Sequence, residues 1–229
     1  MEFKHEGPSE LRLGLVVARN VNANNPSNEL EELISARLTS LEGGLSAIQD
    51  EYRTHVRDVF RNGSYKPTGR AKPASEYLLR AASESRFPRI NTLVDCCNYL
   101  SMASLLPISI FDLDKANSSV FTFRLGYEGE EYVFNHAGQS ISLKDLIVGC
   151  VFRSDGSTSP VVNAVKDSMI TKTDSDTSHV AAAIYAPLAD GPDLSLKEVC
   201  HDFARLLAST DPEASVDHSI IFSGETTSF

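Results

Sequence analysis

The sequence predicts an α+β fold, with a helical first half packed on a sheet- or sandwich-like second half and closed by a return helix. Three observations carry this. Apolar residues recur at helical spacing in several runs between Asn28 and Leu105. From Ile108 to Pro187 the pattern changes to short β-branched and aromatic runs separated by turn residues. LKEVCHDFARLLAST, from Leu196, then returns to helical spacing. Helices first and strands later, rather than strict alternation, point to α+β and not to a doubly wound parallel sheet.

Taken in order, ELRLGLVVARNV (10–21) predicts an opening strand, followed by the turn-rich NANNPSN. Asn28 is placed as the cap of a helix through Leu30, Leu33, Ile34, Leu38 and Leu41, ended by Gly43-Gly44. A second helix runs through Ile48, Tyr52, Val56 and Phe60 to Asn62-Gly63. GSYKPTGRAKP is a basic loop, and ASEYLLRAASES a short third helix. A fourth helix runs from Ile90 to about Leu105, with Ile90, Leu93, Val94, Cys97, Leu100 and Ser104 as its core stripe. Pro107 forces an exit into the strand ISIFDLD. VFTFRLGY and EEYVFNHAG suggest a hairpin, ISLKDLIVGCVF a turn or short helix leading into a strand, and RSDGSTSP a loop. Ser195 caps the return helix, VDHSIIF is a last strand, and about ten N-terminal and six C-terminal residues are expected to fray.

The length of 229 residues suits one domain, 1–229, with its own core. No apolar run approaches membrane-spanning length and the polar N-terminus carries no signal-peptide core, so a cytoplasmic, non-membrane protein is expected. Cys96, Cys97, Cys150 and Cys200 show no CxxC or zinc spacing and read as buried free thiols; neither metal nor cofactor is expected. The net charge of −10 argues against uniform nucleic-acid affinity. Yet residues 53–89 hold nine basic and three acidic residues, so that segment is +6 and the remainder −16. Arg53, Arg57, Arg61, Lys66, Arg70 and Lys72 are its candidates for an anion-facing surface, the alternative being a solvated face that balances acidic neighbours.

Two constellations carry possible chemistry. Asn91, Asp95 and Asn98 lie at i, i+4 and i+7 on the most apolar helix, and buried polar groups there need partners from the fold or from a ligand-filled cavity. Asp112 and Asp114 follow at period 2 and would share a strand face. The polar run VVNAVKDSMITKTDSDTSHV supplies Asn163, Asp167 and Ser168 as pocket-wall candidates and Lys166, Thr171, Thr173 and His179 as candidates to orient water or substrate. No GxGxxG, Walker, GxSxG or HExxH motif is present.

NTLVDCCNYLSMASLLPISIFDLD resembles the N-x-x-V-D-x-x-N … Leu-Pro-Ile … D-L-D run of the B3/4 domain, through Asn91, Val94, Asp95, Asn98, Leu106, Pro107, Ile108, Asp112, Leu113 and Asp114. That domain occurs in the phenylalanyl-tRNA synthetase β subunit and as a free-standing protein. The resemblance extends over roughly residues 10–225. It implies a B3/4-like α+β fold around a pocket, tRNA or aminoacyl-tRNA as partner, and hydrolysis of mischarged aminoacyl-tRNA in trans without aminoacylation. The alternative is a non-catalytic binder of an amino acid, another small polar ligand, a nucleotide or a tRNA end. The chain departs from free-standing relatives in having no Trp. No editing residue of the synthetase carries over onto a numbered position.

Overall fold

The chain enters on two strands, β1 (Glu2–His5) and β2 (Leu11–Arg19), where the sequence predicts one. The computed structural model describes residues 1–153 and 155–229. Helices α1 (Asn28–Ser40), α2 (Ala47–Asp58), α3 (Ala74–Ser83) and α4 (Thr92–Ser104) follow. Then come β3 (Ile108–Asp112), the single turn α5 (Leu113–Ala116), β4 (Val120–Leu125), β5 (Glu131–Val133), β6 (Ser140–Ser142), β7 (Ile147–Phe152) and β8 (Thr158–Asn163). The chain closes with β9 (Val180–Pro187), the return helix α6 (Leu196–Ala208), β10 (Ser215–Phe222) and β11 (Thr226–Ser228). This is the expected α+β arrangement.

The strands make a five-stranded sheet, ordered β11-β1-β4-β7-β8, and a four-stranded sheet, ordered β10-β2-β9-β3. One apolar core runs through both, from Phe3 and Phe121 to Leu15, Ile184 and Phe203. In the four-stranded sheet β2 and β9 are the inner pair, covered on both faces, which explains their nearly unbroken apolar runs. α6 lies against β2, and Gly14 permits it: a Cβ there would meet Cys200 Sγ at 2.6 Å. The Ser195–Glu198 capping box starts α6, as its sequence indicates.

Several expectations are corrected. Ser27, not Asn28, caps α1, accepting from Leu30 N. Ile90 lies before α4 and is 63% exposed, outside the core stripe. The β4–β5 hairpin is not made: β4 pairs with β1 and β7, while β5 pairs with β6. The loop expected over RSDGSTSP includes Ser154, outside the described residues, and its last three residues belong to β8. The termini are not frayed. β1 pairs antiparallel with β11 and parallel with β4, and Phe3 stacks on Phe121 at 4.8 Å. Their partners lie more than a hundred residues away, so no local pattern announces the pairing.

Asp112 and Asp114 do not share a strand face. Asp112 ends β3 and caps α5, accepting from Lys115 N at 2.9 Å and from Thr177 Oγ1 at 2.6 Å. A side chain that caps a helix converts the strand into a turn one residue later. At the other end of the connection, α4 stops where Leu105 adopts a left-handed φ of 65°, and Pro107 prevents its continuation.

His5 is fully buried. Its Nε2–H donates to the Leu11 carbonyl (2.9 Å), and its Nδ1 accepts from Gly7 N–H (3.1 Å). This fixes the neutral imidazole, and burial, outweighing the nearby Glu225 charge, holds its pKa below the ordinary 6.5. Below 6.5 the unfolded chain takes up a proton that the native imidazole refuses. The His5 contribution is therefore fully present above that value and is lost as pH falls toward the native pKa. Urea unfolding at about pH 7.5 and about pH 5.5 should show a larger acid loss of stability in the wild type than in His5→Gln. Equal losses would show that His5 is not the source.

Candidate functional site

The edges of the two sheets meet where β3 passes β8. Ser109 Oγ, on β3, donates to the Asn163 carbonyl at the end of β8 (2.9 Å) and lies 3.3 Å from Tyr185 Oη, on β9. Asn163 is buried, and both polar atoms of its side chain are bonded. Nδ2 donates to Tyr132 Oη (2.5 Å), while Oδ1 accepts from Val165 N (2.7 Å) and Lys166 N (2.8 Å). Tyr132 Oη in turn donates to the Lys166 carbonyl (2.8 Å). The turn leaving β8 is thereby held rigidly, and it presents Lys166 and Asp167.

Above this junction, between it and the helices α3 and α4, is a cleft of about 1320 Å³. Its apolar walls include Leu78, Val94, Cys97, Ile108, Ile110 and Phe134. Its polar lining includes Asn98, Asn163, Lys166, Asp167 and Thr173. Six basic residues line it, Arg53, Arg70, Lys72, Arg80, Lys166 and Lys172, against the acidic Asp50, Glu76 and Asp167. In a chain of net charge −10 this is a local reversal of sign. Tyr77, 64% exposed, and Ile90 also line it.

Electrostatics divide these groups. Glu76 is buried and gathers three cations: Arg57 Nε at 2.5 Å, Arg53 at 3.1 Å and Lys72 at 3.4 Å. Bonding to Glu76 raises the Arg57 pKa. Asp50 pairs with Arg53 at 2.7 Å. Arg70, Lys166 and Lys172 have no carboxylate ion-pair partner among the described residues; the Lys166 ammonium lies 4.0 Å above the Phe134 ring. Asp167 also has no ion pair. Its Oδ1 accepts from Asn163 N at 3.2 Å. Its carboxyl borders the cleft yet is walled by protein, and this dehydration pushes its pKa up to about 7 against the opposing pull of Ser109, the Asn163 backbone and the more distant Lys172 charge. Cys97, the one thiol lining the cleft, is pushed well above its ordinary value by burial. All four cysteines are free and buried.

Of the residues singled out from the sequence, the cleft brings together Asn98, Asn163, Lys166, Asp167, Thr173, Arg53, Arg70 and Lys72. The others lie elsewhere. Asn91 caps α4, accepting from Val94 N (3.0 Å). Asp95 is buried and accepts from Ile90 N (2.8 Å) and Arg89 Nε (2.9 Å). Arg89 also pairs with Glu31 of α1, so Asp95 ties the approach to α4 to a second helix. Ser168 caps the 3-10 turn Met169–Thr171, and Thr171 Oγ1 donates to the Val161 carbonyl (3.3 Å). His179, just before β9, pairs with Asp114 at 2.9 Å, and neither lines the cleft. Arg57 serves Glu76, Arg61 pairs with Asp58 at 2.7 Å, and Lys66 is exposed outside the cleft lining. Arg80, Lys172, Phe134 and Tyr77 were not among the candidates. The two cations belong to runs whose charge was visible in the sequence, whereas the two aromatics carry no local signal that separates lining from core.

The fold and cleft define an α+β protein with a half-open, apolar-walled cleft whose lining carries six cations. The family model of the B3/4 domain matches residues 65–188, and the chain belongs to that family. The match is narrower than the range suggested by the sequence alone; it contains α3, α4, β3 and β8 but not Asp50 and Arg53 of the lining. No curated protein matches the chain. The crystal structure of an N-terminal fragment of the phenylalanyl-tRNA synthetase β-subunit from Pyrococcus horikoshii aligns at a TM-score of 0.44 and 11% identity, covering 93% of this chain and 49% of that one. The chain thus spans about half the length of that fragment. No described helix is long and apolar enough to cross a membrane.

Asp95 tests the division between fold and site. Asp95→Asn should lower stability by roughly 1–3 kcal/mol, because an amide cannot replace a carboxylate accepting from Arg89 and Ile90 N. Cleft binding should be unchanged. Thermal melts with binding measured on the same samples check this, and a binding defect at full stability would put Asp95 in the site instead.

Proposed function

We propose that the cleft receives the aminoacylated 3′ end of a tRNA and that the protein hydrolyses the ester of a mischarged aminoacyl-tRNA in trans, acting in the cytoplasm. The observation that carries this reading is the reversal of charge: an acidic chain whose main cleft is lined by six cations. A single-stranded tRNA end brings phosphates to the rim and an aminoacyl group to the floor. Membership of the B3/4 family supports the relation to the phenylalanyl-tRNA synthetase β subunit implied by the Asn91–Asp114 run.

The ester is already activated, so a positioned water and donors for the developing oxyanion suffice. Lys166 is the donor for the oxyanion, and Thr173 and Asn98 are the groups that orient water. Asn163 holds the turn that carries Lys166 and acts as a positioning residue. Tyr77, at the wall, offers a stacking surface for the terminal base.

A second reading keeps the ligand and drops the chemistry. It is favoured by the lining itself, which holds no histidine among its described residues and whose one thiol is held protonated by burial. Incubating the protein with tyrosine-charged phenylalanine tRNA, the correctly charged tRNA and other mischarged tRNAs decides between the two. Selective release of one wrong amino acid above the spontaneous rate supports hydrolysis. Saturable binding without release across the panel leaves the binding module, and absence of both sinks the tRNA reading.

The rim has its own test. Arg70→Ala and Lys172→Ala should each weaken tRNA binding and lower the slope of log K against log[salt] by about 0.7 for a single-stranded contact. Each variant should keep the wild-type melting temperature, since neither cation is ion-paired. An unchanged salt slope in both variants would place the phosphates elsewhere.

A further inference from the structure

The three carboxylates lining the cleft do not have equal standing. Asp50 and Glu76 are neutralised by arginines. Asp167 has no ion-pair partner among the described residues; it accepts from Asn163 N, is held also by Ser109 and the Ile110 backbone, and sits beside Cys97 on the apolar side. A carboxylate in such surroundings is costly, and the fold maintains it with Asn163 and the polar contacts behind it. The cations follow the opposite pattern: Arg70, Lys166 and Lys172 line the cleft without carboxylate partners. The cleft is therefore polarised, with negative charge available at the β3–β8 floor and positive charge around it.

We propose that Asp167 is the binding site for a primary ammonium group of the ligand, so that the protein selects aminoacyl groups with a free α-amine and discriminates against N-blocked ones. The proposal rests on the aminoacyl reading of the cleft and adds which end of that group the floor grasps. An α-ammonium supplies the counter-ion that no protein group provides, and its arrival restores the ionised carboxyl that burial disfavours in the empty cleft. The apolar residues beside Asp167 then face the amino-acid side chain, and Lys166, one residue earlier on the same turn, faces the ester. The ligand class that fits is a molecule with a cationic amine at one end and anionic phosphates at the other.

Titration calorimetry with phenylalaninamide, tyrosinamide and leucinamide, each against its N-acetyl derivative, tests this without requiring a variant. At least one free amine should bind tenfold or more tighter than its acetylated partner. Asp167→Asn should abolish that difference while keeping the fold, as judged by its melting curve. Equal affinities within every pair, no binding by any amide, or a preference that survives in a folded Asp167→Asn protein would each overturn the proposal. A parallel comparison of aminoacyl-tRNA with N-acetyl-aminoacyl-tRNA separates it from the reading beneath it. Hydrolysis of both at equal rates keeps the tRNA reading and removes the ammonium site. An amine preference in calorimetry with neither tRNA bound nor cleaved keeps the ammonium site and removes the tRNA reading.

Discussion

The cleft depends on one junction, the contact of the β3 and β8 sheet edges through Ser109, Asn163, Tyr132 and Tyr185. Two sheets meeting at their edges leave backbone and hydroxyl groups that must be satisfied away from bulk water. Asn163 satisfies five neighbours at once, with its carbonyl, both ends of its amide and its N–H to Asp167. No apolar residue could do this, and a shorter polar one could not span from Tyr132 to the Val165 and Lys166 amides. The same bonds that close the seam fix the turn that carries Lys166 and Asp167, so stability and site geometry share one set of contacts. Small shifts at the seam would be felt at the cleft floor.

Much of the fold was legible because it was written locally. The capping box at Ser195, the helical spacing of α2, α3 and α6, and the continuous apolar run of β2 each depend on neighbours within a turn or on burial of both faces. The failures are of two physical kinds. Long-range pairing left no trace: β1 and β11 are short and polar, and only their partners make them strands. Capping misled the periodicity argument, because a two-residue spacing assumes an uninterrupted strand and Asp112 ends one. The polar stripe of α4 likewise divides by use. Asn91 and Asp95 lock the helix in place, and only Asn98 reaches the cleft.

Charge counting gave the sign of the cleft but not its distribution. Residues 53–89 look like a basic stripe in sequence, yet Glu76, one of three acids among them, draws in Arg53, Arg57 and Lys72 across α2 and α3. A buried carboxylate holding three cations leaves a net positive wall that is also rigid, since each side chain is tethered. Lys166 and Lys172, which complete the lining, come from a segment a hundred residues later. Only the fold brings the two sets of cations onto one cavity.

The contrast between that cavity and the remaining surface has a consequence for selectivity. The segment 53–89 is +6 while the rest of the chain is −16, so an extended polyanion reaching past that segment meets net repulsion. A short anionic end entering the cleft meets cations and leaves its remaining charge in solvent. The energy of this discrimination comes from the body of the protein rather than from the site. Screening sets its range at about 8 Å at physiological ionic strength. On the proposed reading, entry of an end is thus favoured over lateral binding even before any group on the ligand is recognised, and specificity is left to the floor, where Asp167 is the one lining carboxylate among the described residues without an ion-pair partner.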